Sequence, residues 1–123
     1  MNTEVNEVTI NGVKYIKKGC KDEKVAGFDG MEYALVRTYS AGVFAGYIEK
    51  REGMEATLRN ARRIWYWDGA ASLSQLAMEG TSKPQNCKFP REVDRVVLTQ
   101  VVEILDVTKK AKESIDSVKV WEQ

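Results

Sequence analysis

Two stretches of the chain carry the period-two pattern of half-buried strands. In the first, Val8-Thr9-Ile10 and Val13-Lys14-Tyr15-Ile16 flank Asn11-Gly12. That dipeptide tolerates the positive φ angles of a type I′ turn, so residues 5–18 are expected to form a β-hairpin. The second stretch begins at Glu32. Tyr33, Leu35, Arg37 and Tyr39 would share one face of a strand, with Ala34, Val36 and Thr38 on the other. Ser40-Ala41-Gly42 offers a tight connection to a second strand over 43–50, Glu52-Gly53 a further turn, and 56–67 a third strand. Such short connections demand antiparallel neighbours, because a parallel pair needs a long crossover.

Beyond Trp67 the period changes. Leu73, Leu76 and Ala77 form the apolar stripe of a short helix within 68–80, with Asp68 or a neighbour as cap and Gly80 suited to its end. Pro84 and Pro90 make 81–90 an irregular connection. Val93, Val96, Val97, Val101, Ile104 and Leu105 fit a helical stripe as well as a strand, and their β-branched density favours a strand over 93–105. Thr108 to Val118 reads as a helix starting at Thr108 with Ala111 and Ile115 inward, and 118–121 as a short closing strand. Residues 19–30, with Lys21-Asp22-Glu23-Lys24, read as a solvated loop. The expectation is one α+β domain over 1–123: an antiparallel β-sheet with one or two helices packed on it, an N-terminal hairpin (5–18) and a binding core (32–121).

Composition then excludes function classes. The 19 basic and 18 acidic residues leave a net charge of +1, so a duplex nucleic acid partner is not expected. Histidine is absent, which removes the commonest general base, the usual nucleophile pairs and the usual zinc ligands. Cys20 and Cys87 form no Cys-x-x-Cys pair and read as reduced thiols. Ser72, Ser74 and Cys87 have no identifiable base, and no acidic pair falls in a recognisable acid–base motif. No catalytic, metal or cofactor role is therefore expected. With no apolar run near the roughly 20 residues of a membrane span, and no leader pattern at Met1-Asn2-Thr3-Glu4, neither a membrane partner nor export is expected.

Four constellations could bind a ligand. In Arg59-Asn60-Ala61-Arg62-Arg63-Ile64-Trp65-Tyr66-Trp67, guanidinium forks suit phosphate and indoles stack on bases. The same spacing equally describes core aromatics with arginines snorkelling at the rim. Gly69-Ala70-Ala71-Ser72 could open a helix onto phosphate, or pack that helix tightly on the sheet. In Pro84 to Arg91, Asn86 could bond a base edge, Phe89 could stack, and Lys88 or Arg91 could meet phosphate; a surface turn pinned by Phe89 fits as well. Arg37 and Ser40 stand at a hairpin end, where polar residues often have no such role.

The ordered motifs in 36–47, 60–67, 69–77 and Cys87-Lys88-Phe89-Pro90 resemble the first-described Thoeris anti-defence family of phage proteins, over roughly Tyr33 to Trp121. The resemblance implies a phage protein acting in the host cytoplasm, a homo-oligomer built of dimers up to a hexamer. It would sequester glycocyclic ADP-ribose signals without cleaving them, and in some members the cyclic oligonucleotides of CBASS defence. Within those motifs Arg62 and Arg63 would grip phosphate, Trp65 or Phe89 would stack on a purine, Asn86 would read its edge, and Ser72 would meet a second phosphate or ribose. Arg37, Ser40 and Arg91 complete the candidate set. The rival reading is a small phage regulatory protein binding nucleic acid or a host protein.

Overall fold

The computed structural model describes residues 30–122, so the expected hairpin over 5–18 lies outside the described residues. Five strands form one antiparallel sheet: β1 (Glu32–Thr38), β2 (Val43–Glu52), β3 (Glu55–Arg63), β4 (Val93–Leu98) and β5 (Val101–Asp106), in the order β4-β3-β2-β1-β5. Helix α1 (Leu73–Glu79) and a single 3-10 turn (Pro84–Asn86) lie between β3 and β4, and α2 (Lys109–Asp116) follows β5. The α+β architecture, with helices packed on a mostly antiparallel sheet, is the one the residue pattern predicts.

The connection between β4 and β5 dictates the shape of the sheet. Laid flat, five strands would hold these two edges about 19 Å apart, four steps of ~4.8 Å. Only Thr99-Gln100 joins them, and three residue steps reach about 10 Å. The sheet must therefore curl until its edges meet. At the meeting point Val101 N–H donates to the Met54 carbonyl at 2.9 Å, and Tyr39 N–H donates to that of Gln100 at 2.9 Å. Register shifts between Ala45 and Tyr47 and between Ile48 and Lys50 bend the β2–β3 pair, as bulges do. Asn60, opposite the first shift, takes a left-handed φ of 50°, which asparagine tolerates better than most residues.

The curl divides the core in two. Ala34, Val36, Phe44, Ala56, Leu58, Ala61, Leu98 and Val101 form a cluster drawn wholly from strands. Among the described residues this cluster holds no helix residue, and Val36 and Leu58 are fully buried in it. On the other face, Tyr33, Leu35, Ala45 and Ile64 pack against Leu76 and Ala77 of α1 and Ala111 and Ile115 of α2. Ser72 caps α1 by accepting from Gln75 N–H at 3.2 Å, and Gln75 Oε1 returns to Ala71 N–H at 2.7 Å, a variant of the capping box. Thr108 caps α2 through Ala111 N–H at 3.1 Å and donates to the Met78 carbonyl at 2.8 Å, which ties the helices together.

Four expected boundaries change. The helix expected over 68–80 begins only at Leu73, with Ser72 and not Asp68 as its cap, because the Asp68 carboxylate is held by Gly69 N–H and Asn86. The third strand stops at Arg63 instead of running to Trp67, because its partner β2 begins at Val43 and offers nothing further to pair with after Ile64 N–H has bonded the Val43 carbonyl. The single strand over 93–105 is two strands broken at Thr99-Gln100, the corner that closes the curl. The closing strand over 118–121 is reduced to a parallel bridge between Val120 and Phe89.

Two glycines test this packing. At Gly80, which has a φ of +80°, an added Cβ would lie 2.3 Å from Ser114 Cβ on α2, whereas at Gly53 (φ +59°) nothing lies within 4 Å. Gly80→Ala should therefore cost about 2–4 kcal/mol in urea unfolding, backbone strain plus overpacking. Gly53→Ala should cost only the strain, about 1–2 kcal/mol.

Candidate functional site

After β3 the chain passes through three short segments lying side by side. Tyr66 N–H donates to the Lys88 carbonyl at 3.2 Å and Lys88 N–H to that of Tyr66 at 2.8 Å. Trp121 N–H donates to the Phe89 carbonyl at 3.0 Å, placing the end of the chain alongside. Ile64, Cys87, Phe89 and Val118 point into the core from these segments. Their neighbours point out and form an aromatic surface around a lysine. The Trp65 indole, 58% exposed, stacks on that of Trp121 with centroids 5.1 Å apart and planes 14° from parallel. Lys88 Nζ lies 5.6 Å from each indole centroid and 5.9 Å from that of Tyr66, itself 48% exposed.

Beside this surface is a pocket of about 420 Å³. Trp121, Val120, Pro84 and Cys87 line it together with the polar groups of Gln85, Ser117 and Lys119. Arg63 stands near: Arg63 and Trp65 are exposed and Ile64 between them is buried. Extended chain of that length spans about 7 Å. The Arg63 guanidinium lies 4.4 Å over the Phe44 ring and spends one nitrogen on the Ala41 carbonyl. A planar ring stacked on Trp65 would find the Lys88 ammonium beside it, with Lys119 in the adjoining pocket.

The other expected site residues are differently employed. Arg62 is buried, and its guanidinium donates to the carbonyls of Pro90 (3.2 Å), Ile115 (3.1 Å), Phe89 (3.2 Å) and Val118 (2.7 Å). Committed to four carbonyls, it is not placed to grip a phosphate. Phe89 is 0% exposed, so its faces meet core and the Arg62 guanidinium, not a ligand. Ser72 spends its hydroxyl on capping, and Gln75 already occupies Ala71 N–H, so the seven-residue α1 presents no open phosphate cradle. The Asn86 amide donates to Asp68 Oδ2 at 3.0 Å and is held at the turn, not aimed at a base. Arg37 pairs with Glu103 at 2.8 Å, and Ser40 donates to the Gln100 side chain, both at the curled end of the sheet. Arg91 lies 3.6 Å from Glu122 with both side chains largely in solvent. Of the residues singled out in the sequence, Trp65 and Lys88 fall at the aromatic surface, and Arg63, two residues before Trp65, turns its guanidinium onto Phe44 and Ala41. Tyr66, Trp121 and Lys119 were missed, since nothing in the spacing of residues 119–121 links them to residue 65.

Burial is the main charge effect in this region. It pulls the Arg62 pKa down, with nearby Tyr33, Asp116 and Glu92 opposing, and it pushes the Tyr33 hydroxyl above its ordinary value, with Asp116 adding to the rise. Asp68 is lowered, first by the Asn86 hydrogen bond and then by Gly69 N–H, which donates to Oδ1 at 2.8 Å. Among the described residues, no three His, Cys, Asp or Glu side chains gather to hold a metal ion, and no helix is long and apolar enough to cross a membrane.

Fold and surface together define a small curled-sheet α+β domain that presents an aromatic, lysine-bearing face beside a pocket. The chain belongs to the family described as a domain of unknown function, DUF6948, which matches residues 31–115. No curated protein and no solved structure matches. This corrects the functional terms that came with the Thoeris resemblance. The family that does match carries no functional description, and no match attaches anti-defence, CBASS or cyclic ADP-ribose to this chain.

The Asp68 contacts predict a signature in acid. A carboxyl whose pKa is lower folded than unfolded adds stability above its unfolded value of about 3.9, and that stability is lost as pH falls through the folded value. Asp68→Asn should melt below the wild type at pH 6, and the gap should close by pH values under the folded pKa. A gap that is constant with pH would mean that the Asp68 charge contributes nothing.

Proposed function

We propose that this protein is a binding protein rather than an enzyme, and that it holds a small planar anion of the nucleotide class on the Trp65–Trp121–Lys88 surface. One observation carries the reading: two indoles stacked at 5.1 Å, one of them more than half exposed, with an ammonium 5.6 Å from each ring. Large aromatics normally gain about 1.5–3 kcal/mol by burial, so a face left in water and flanked by cations is suited to a ring that arrives with negative charge. Base-on-aromatic stacking supplies about 1–3 kcal/mol per base. Arg63, with part of its fork unspent, would add a charge-assisted bond to phosphate. The pocket beside Trp121 gives the non-stacked part of such a ligand a seat lined by Lys119, Ser117 and Gln85.

Titration of tryptophan fluorescence with AMP and ADP, against adenosine and pyrophosphate alone, tests the reading. Saturable quenching by the nucleotides, weaker with either half-ligand, is expected. Trp65→Ala and Lys88→Ala should each weaken it by about 1–3 kcal/mol with melting temperature preserved. Ligand released by denaturation after long incubation should be recovered intact. Absence of saturable quenching overturns the nucleotide reading. A fall in molecular mass on Trp65→Ala would show that the indoles are covered by a second copy of the chain.

A further inference from the structure

We propose that Arg62 is the positioning residue of this surface: its buried guanidinium sets the Trp65–Trp121 stack in place without touching the ligand. The inference rests on the reading of that surface as the binding site. Trp65, Lys88 and Trp121 each lie within three residues of an Arg62 contact or of Arg62 itself. Arg62 precedes Trp65 on the chain, Phe89 and Pro90 follow Lys88, and Val118 precedes Trp121. One planar group thus pins the three segments that carry the two indoles and the ammonium.

The end of α2 explains why the group is an arginine. The last carbonyls of a helix lack intrahelical partners and carry the negative end of its dipole. The last turn of α2 has no basic residue of its own. Arg62 supplies a cation from β3, reaching the Ile115 carbonyl at 3.1 Å and the Val118 carbonyl just beyond the helix at 2.7 Å. The Ile115 carbonyl also accepts from Val118 N–H at 3.2 Å. Its Cζ lies 5.3 Å from the Phe89 ring centroid while its remaining N–H groups reach the Phe89 and Pro90 carbonyls. Five donors in a rigid fork can serve carbonyls in several directions; an ammonium offers three donors radiating from a single atom and no flat face to lay on a ring. Without the fork, Trp121 is tied to its neighbours by its own N–H to the Phe89 carbonyl and by the Val120 bridge. It would then leave Trp65.

Two stacked indoles couple their transitions and give a paired-sign band in far-ultraviolet circular dichroism, a signal that requires no ligand. In Arg62→Lys the band should fall to the level seen in Trp121→Ala, with urea unfolding still cooperative. AMP affinity should fall about as far as in Trp121→Ala, within the ~5–150-fold range that loss of one stacking contact spans. The double variant should bind no worse than Trp121→Ala, because the two residues act through one stack. A band retained at full strength in Arg62→Lys, or affinity losses that add, overturns the proposal. Should Arg62→Lys fail to fold, nitrogen-15 spectra of the wild-type guanidinium groups decide. Arg62 signals should hold their positions through an AMP titration while those of Arg63 move; a shift at Arg62 equal to that at Arg63 would mean direct contact and overturn the proposal. If AMP does not bind, the ligand-free band still reports on Arg62 while the nucleotide reading alone falls.

Discussion

A corner of two residues, Thr99-Gln100, joins strands that stand at opposite edges of the sheet, and the rest of the structure follows from that constraint. The edges can meet only if the sheet curls, and the curl brings strand residues of both faces into buried clusters among the described residues, which include two short helices. Among the described residues, one face gathers strand side chains alone around Val36, Phe44 and Leu58. The other is free to accept α1, α2 and the segments around Phe89 and Val118. Bulges in the β2–β3 pair and the left-handed Asn60 supply the local bending.

The bulge also governs where the arginines go. Beyond it Arg62 faces the helices and Arg63 the opposite way, so adjacent residues of the same type have unlike fates. Burying a guanidinium is costly unless its donors are used. Arg62 meets that cost with four carbonyls, two of them at or just past the end of α2, and with the face of Phe89. Arg63 stays at the surface over Phe44. The aromatic surface is built from what these segments turn outward, and it draws together residues from 65 to 121. Membership in DUF6948 covers the sheet and both helices up to Ile115. Trp121 lies outside the matched range, so the aromatic surface pairs residues inside that range with one beyond it.

Local pattern was sufficient for most of the fold. Alternation in 33–39 and 43–50, with glycine-bearing turns, placed β1 and β2 and made them antiparallel, because side-chain period and turn length are properties of neighbouring residues. Ser72, Thr108 and Gly80 act at helix ends for equally local reasons. The β-branched run over 93–105 showed its extended character but not its break, since the corner satisfies a requirement set by β1 and β3 on either side. The site was far less legible. Residue types in 59–67 announced guanidinium and indole chemistry, yet which arginine would be buried depended on a bulge and on carbonyls roughly 27 to 56 residues away. Phe89 and Asn86 had the right chemistry for a ligand and were claimed instead by the core and by Asp68. Trp121 became the partner of Trp65 only because α2 returns the chain across the sheet to Phe89. Strand, turn and cap are written in adjacent residues; a surface assembled from distant segments exists only once packing has decided which of their side chains must be inside.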